Sequence, residues 1–265
     1  MTIISLLLLA SLLPHLTFTA RANVGIVNGR EAKPHSRPYM VSVQFKEQHF
    51  CGGFLVSERF VMTAAHCRNN SPVLTVVLGA HELQKKSGNL VRIKVESYHQ
   101  HPDYSSKSFQ NDILLLKLEK NAQLNDNIKW ISIPTEEGDI EAGSVCSVAG
   151  WGRLETNGKE SDRLMETNVT VMNNNKCESK WTKEDFSASL MIEVKNDDNS
   201  GGPLVCGNTA VGVTSFGDPD LCNSPELPEV YTKISAYLQW IKRNMNKTHL
   251  SEHCNWWESC CFTHH

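Results

Sequence analysis

Short runs in which apolar and polar residues alternate recur along most of this chain. Met40-Val41-Ser42-Val43-Gln44-Phe45, Leu90-Val91-Arg92-Ile93-Lys94-Val95 and Asn168-Val169-Thr170-Val171 are three of them. A period of two sends one set of side chains to one face of a sheet, so each run predicts a strand, with turn residues between runs. One segment departs from this. Tyr237, Ile241 and Met245 fall at helical spacing with Lys242 and Arg243 in the polar remainder, which predicts a single C-terminal helix. No repeat and no low-complexity linker divides the chain. Its 265 residues suffice for one two-layer or two-barrel all-β unit with a substantial core.

The first residues follow a different pattern. Ile3 to Leu13 is a Leu-rich apolar stretch too short to cross a bilayer as a helix, with small residues at Ala20 and Ala22. It reads as a secretory signal over residues 1–22, although it lacks the usual basic start. No later segment is a transmembrane candidate. A secretory route permits disulfides and makes Asn69, Asn168 and Asn246, each followed by X-Ser/Thr, glycosylation acceptors. The net charge of −3 favours neither nucleic acid nor an anionic membrane as a partner. Nine cysteines are an odd number, so at least one thiol cannot pair within the chain. The expectation is a secreted, extracellular monomer, unless that odd cysteine forms an intermolecular disulfide.

Three short motifs carry chemistry. Ser200 stands in Asp198-Asn199-Ser200-Gly201-Gly202-Pro203, His66 in Thr63-Ala64-Ala65-His66-Cys67, and Asp112 in Asn111-Asp112-Ile113-Leu114-Leu115-Leu116. A serine hydroxyl is a weak nucleophile until an imidazole takes its proton, and a carboxylate must hold that imidazole in the right tautomer. One histidine among eleven is ordinarily a surface or core residue. Three motifs with their flanks, in the order His, Asp, Ser, resemble the trypsin/chymotrypsin family of serine proteases. Ile26-Val27-Asn28-Gly29, Glu31-Ala32-Lys33-Pro34-His35-Ser36, Leu78-Gly79-Ala80-His81 and Val148-Ala149-Gly150-Trp151-Gly152 resemble its granzyme, mast-cell-protease and duodenase-like branch.

The resemblance implies an all-β, chymotrypsin-like double six-stranded β-barrel with a C-terminal α-helix. It implies a propeptide over 23–25, cleaved between Gly25 and Ile26, a protease domain over 26–248, and a Cys- and His-containing tail over 249–265. It implies a serine endopeptidase that acts on protein or peptide substrates, binds protease inhibitors and needs no cofactor or metal. His66 would be the general base, Asp112 its orienter and Ser200 the nucleophile. Disulfides Cys51–Cys67 and Cys146–Cys206 follow from the same match. Cys177 and Cys222 match half-cystines whose partners are missing, one expected near Ile192-Glu193 and the other at Asn196. Cys254, Cys260 and Cys261 lie in the tail, where a metal reading is possible on composition and an unordered extension is the plainer one.

The resemblance also places the substrate. Ser215-Phe216-Gly217 matches the segment that pairs with substrate backbone as an added strand. Counting back from Ser200 puts Val194 at the floor of the primary specificity pocket, across an interval of 23 positions from Cys177 that is shorter than in typical relatives. Glu229 matches a position whose side chain enters that pocket. A carboxylate there over an apolar floor would favour Lys or Arg at P1; the bland alternative is a Glu229 that faces solvent.

Two residues depart from the family pattern. The oxyanion hole is built from the backbone N–H groups of Ser200 and of the residue two before it, normally Gly and here Asp198. The residue before the nucleophile is normally an Asp that pairs with the new Ile26 α-amino group, and here it is Asn199. The sequence thus carries two hypotheses: an endopeptidase with reduced activity, and a pseudoprotease that binds peptides or inhibitors on the same scaffold.

Overall fold

The computed structural model describes residues 26, 29–68, 73–84, 90–156, 158–173, 181, 186–195, 201–218, 221, 224 and 226–254. The alternating runs become antiparallel strands. A two-residue strand, β1 (Arg30–Glu31), precedes the first barrel. That barrel comprises β2 (Met40–Phe45), β3 (Gln48–Leu55), β4 (Phe60–Thr63), β5 (Thr75–Leu78), β6 (Val91–Gln100) and β7 (Leu114–Leu118), closed in the order β2-β3-β4-β7-β6-β5. The second comprises β8 (Val145–Gly150), β9 (Met165–Val171), β10 (Met191–Lys195), β11 (Pro203–Cys206), β12 (Thr209–Phe216) and β13 (Glu229–Lys233). Its order is β9-β10-β13-β12-β11-β8, closed by pairing of β8 with β9, and β1 adds to β9 at the outside. Closure leaves no free sheet edge to manage within either ring. This is the double six-stranded barrel that the sequence led us to expect.

Each barrel has its own apolar filling. Val43, Phe54, Met62, Leu78, Ile93 and Leu116 belong to the first cluster; Val148, Val169, Ile192, Leu204 and Tyr231 belong to the second. β7 reads as a continuous apolar run rather than an alternating one, and Ile113 to Leu116 are all fully buried. Ile234, Tyr237 and Ile241 join the same cluster, so the C-terminal segment packs on the first barrel. The segment opens as a 3₁₀ turn, Ile234–Tyr237, and continues as α1 (Leu238–Cys254), past residue 248. Tyr237 therefore lies in the turn ahead of the helix, while Lys242 and Arg243 are exposed as the polar face requires. Among the described residues no helix is long and apolar enough to cross a membrane. Disulfides join Cys51 to Cys67 and Cys146 to Cys206, tying β3 to the turn after β4 and β8 to β11.

A partly buried polar chain on the first barrel bears on stability. Arg92 donates to Gln44 Oε1 (2.7 Å), Gln44 donates to Ser42 Oγ (3.1 Å), and Ser42 Oγ lies 2.8 Å from His49 Nδ1. His49 also packs edge-on against Trp151, with ring centroids 5.8 Å apart. Burial holds its pKa down from 6.5 to about 4. The native state keeps this ring neutral where the unfolded chain protonates it, so stability is present above pH 6.5 and lost as pH falls toward 4. Between pH 6.5 and pH 5 the loss amounts to about 2 kcal/mol. The urea midpoint should fall accordingly, and His49→Gln should flatten the slope. An unchanged slope in that variant would assign the acid sensitivity elsewhere.

Candidate active site

His66 comes from the 3₁₀ turn Ala65–Arg68 that follows β4, and Asp112 from the segment that enters β7. The Asp112 side chain is wholly buried, and His66 keeps 17% of its side-chain surface in solvent. His66 Nδ1 lies 2.7 Å from Asp112 Oδ2, and the His66 backbone N–H donates to Oδ1 at 2.9 Å. The Ser215 hydroxyl donates to Oδ2 at 2.6 Å, and Thr232 Oγ1 donates to the Asp112 carbonyl at 3.0 Å. The carboxylate thus has three donors from two chain segments, His66 of the first barrel and Ser215 of the second, while Thr232 of the second barrel holds the Asp112 main chain. A negative group taken out of water is tolerable only with such partners. With the proton held at Nδ1, the other ring nitrogen is free to accept one, as general-base chemistry needs.

Ser200, Asp198 and Asn199 lie outside the described residues, as do Gly25, Asn69, Cys177 and Cys222. The residue bonded to Ser200 is described. Gly201 has φ +73°, and a Cβ there would stand 2.6 Å from Thr63 Oγ1, 2.7 Å from the Gly52 carbonyl oxygen and 3.0 Å from Cys67 Sγ. Both the dihedral and the lack of room require glycine. Its N–H donates to the Thr214 carbonyl at 3.0 Å, and the Thr214 N–H donates to the Gly202 carbonyl at 2.9 Å. The chain that leaves Ser200 is therefore bonded to β12 of one barrel and pressed onto the disulfide beside His66 in the other.

Ser215 and Phe216 end β12 and Gly217 follows it, where the register with β13 shifts between Thr214 and Phe216. Glu229 opens β13 and is 3% exposed. Its carboxylate lies against Gly217, where an added Cβ would come within 1.8 Å of Oε1. Val194 is fully buried in β10, opposite Glu229 in register and in the core cluster of the second barrel. Directly opposed residues share a face of the sheet, so these two side chains stand on the same side. Beside them Glu193 is also fully buried, opposite Val230, near where a half-cystine was expected.

Sequence reasoning missed an aromatic wall. Phe109 packs edge-on against the His66 ring (6.0 Å) and tilts onto Phe216 (5.4 Å), and Trp181 packs edge-on against Phe216 (5.1 Å). Phe109 stands three residues before Asp112, inside reach of the motif that located the acid. Trp181 falls in the stretch after Cys177 where the resemblance weakens, so nothing in the sequence pointed to it.

Cys51, His66 and Cys67 bring three potential metal ligands together. Both sulfurs are spent in the disulfide, and this group is no metal centre. Ile26 is 1% exposed, with its Cγ2 where a Gly29 Cβ would stand. Asn168 and Thr170 both project to solvent from β9, and Asn246 is exposed on α1.

Comparisons with known proteins agree with this geometry. The family model described as Trypsin matches residues 26–241. Duodenase-1 of Bos taurus is 41% identical, with 84% of this chain and 90% of that protein covered. Granzyme B of Homo sapiens is 40% identical over 91% of this chain and 98% of its own length. The solved structure of neuropsin, a serine protease expressed in the limbic system of mouse brain, superposes with a TM-score of 0.76. It is 35% identical and covers 83% of this chain and all of its own. With that match spanning both barrels and the segments that carry His66 and Asp112, the chain belongs to the trypsin family of serine proteases.

Proposed function

We propose that this chain is a secreted or granule-stored serine endopeptidase, made as a zymogen and released by cleavage between Gly25 and Ile26. His66 acts as general base, Asp112 orients it, and Ser200 attacks the scissile carbonyl to form an acyl-enzyme that water then hydrolyses. The observation that carries this reading is the pinning of Gly201 against Thr63, Gly52 and Cys67, which binds the residue after Ser200 to the segment of His66. By the family match, Ser200 and Asp198 occupy the oxyanion-hole positions, and Asn199 occupies the position that would meet the Ile26 amino group after cleavage. Two disulfides and the apolar leader support a secretory route. Asn69, Asn168 and Asn246 are the proposed glycan acceptors.

Substrate would lie along Ser215-Phe216-Gly217 as an added strand. The Glu229 carboxylate against Gly217, with the apolar Val194 opposite it in register, supports a preference for Lys or Arg at P1. Phe109, Phe216 and Trp181 offer apolar side chains of the same peptide a wall beside His66. A second reading, a pseudoprotease that binds peptides or inhibitors, is favoured by one specific feature: Asp198 and Asn199 replace the Gly and Asp of the family motif.

One preparation tests both. After cleavage at Ile26, a fluorophosphonate should label Ser200, located by mass spectrometry, and peptides with Lys or Arg at P1 should be cut faster than those with Asp or Glu. No labelling of the cleaved chain would favour the binding module. Labelling with a profile dominated by acidic P1 residues would keep the enzyme and overturn the pocket assignment.

A further inference from the structure

Asp112 sits on an unusual piece of backbone. Asn111, the residue before it, has φ +57°, and Phe109 has φ +51°. Non-glycine residues enter this left-handed region at a cost, and they persist there when the surroundings hold them. The Asn111 side chain is held from both ends. Its Nδ2 donates to the Asp103 carbonyl at 2.9 Å, and its Oδ1 accepts from the Tyr237 hydroxyl at 3.1 Å. The Ile113 N–H donates back to the Asn111 carbonyl at 2.8 Å, so the chain makes a tight turn about Asp112 itself.

Tyr237 is buried, at 4% exposure, and comes from the 3₁₀ turn that leads into α1. Its ring packs edge-on against His101 (5.3 Å), and Trp240, one turn on, tilts against the same histidine (5.4 Å). The His101 N–H donates to the Ile113 carbonyl at 3.2 Å. The C-terminal segment thus grips the turn about Asp112 on both sides. The titratable groups around it are His66, Tyr104 and Tyr237, with His101 and Asp103 on the strap that Asn111 ties down. Burial first, and then the Asp112 charge, push the Tyr237 phenol well above its usual range, so its hydroxyl stays a donor.

We propose that Tyr237 and Asn111 are positioning residues for the triad, the Tyr237 hydroxyl locking the left-handed turn at Asn111 that aims both Asp112 oxygens at His66. The proposal rests on the reading of His66 and Asp112 as base and orienter. Without the clamp the turn relaxes, the Asp112–His66 bond loses its alignment, and the imidazolium formed during the reaction is stabilised less. Substrate contacts are untouched, so the loss falls on kcat and not on KM.

The test uses Tyr237→Phe and Asn111→Gly in the full chain. Glycine accepts φ +57° without strain and removes both side-chain hydrogen bonds, so it separates the dihedral from the clamp. Each variant should lower kcat by about tenfold, the size of one weakened hydrogen bond, with KM unchanged and the acid limb of the pH profile displaced. In the Ser200→Ala background, the downfield proton resonance of His66 Nδ1–H should move upfield and broaden in both variants. That arm requires no turnover, so an inactive parent would defeat the functional reading while the resonance still reports on positioning. A lower melting temperature with the resonance and kcat unchanged would reduce Tyr237 to a packing residue. Parent-like kcat in Asn111→Gly would show that the turn alone suffices. Either result overturns the proposal, and should one variant fail to fold, the other decides it.

Discussion

Replacement of Asp112 by asparagine is expected to lower kcat by about 10⁴-fold, the size found for that change in triad proteases, while the fold survives. The site explains both halves. Asp112 Oδ1 accepts from the His66 backbone N–H and Oδ2 accepts from the His66 ring and from Ser215. An asparagine is nearly isosteric and its oxygen can keep one of these sets. Its NH₂ group must then face the other. Turned toward the imidazole, it presents a donor to Nδ1 and forces the ring proton onto the opposite nitrogen, the one that must accept from Ser200. The residual buried mismatch with Ser215 or the backbone costs roughly 1–3 kcal/mol of stability, enough to see in a melting curve and too little to unfold a domain of this size. Matched kcat/KM assays and thermal melts on the cleaved chain read both. A variant within tenfold of its parent would remove Asp112 from the catalytic role.

How much of this was legible in the sequence depends on which physical signal each feature carries. The strands were legible because alternation with period two is a property of local sequence, as in Met40–Phe45, which reappears with the same bounds as β2. The apolar run after Asp112 was equally plain, because a strand covered on both sides has no polar face to keep. Tyr237 was legible only as a position on a helical face. Spacing by four cannot separate a 3₁₀ turn from the first turn of an α-helix, and that difference decides where its hydroxyl points.

The pocket was less legible for a different reason. Val194 was reached by counting back from Ser200, a step that holds only if the interval keeps the family's length. In the structure its place is set by pairing with Val171 and Glu229, a relation between strands far apart in sequence. Glu193 illustrates the same limit. This charged residue amid Met191, Ile192 and Val194 is fully buried, because both faces of β10 are packed, Ile192 and Val194 in one apolar cluster and Met191 in another. The aromatic wall of Phe109, Phe216 and Trp181 is assembled from three distant segments, so only the fold could bring it together.

The altered motif before Ser200 yields the other large expected effect. Asp198→Gly and Asn199→Asp should each raise activity, by separable routes. Glycine at 198 restores a residue that can adopt the dihedrals of an oxyanion-hole turn and removes a carboxylate from the neighbourhood of the developing oxyanion. One recovered donor corresponds to roughly 2.7–4 kcal/mol, or about 10²–10³ in kcat. Aspartate at 199 restores an anion for the Ile26 amino group, and Ile26 is already buried at 1% exposure. An unpaired buried charge costs roughly 3–5 kcal/mol, so this change should act mainly on the fraction of ordered molecules. Its signature is a higher melting temperature of the cleaved form over the zymogen. The two positions are adjacent in sequence and close to the pinned Gly201, and their effects should be non-additive. A double-mutant cycle on kcat/KM with a small ester substrate, against the Ser200→Ala chain as floor, measures the coupling. Should the double variant stay at that floor, the stretch between Cys177 and Ser200 disables the site by itself, and the binding module on a protease scaffold becomes the better reading.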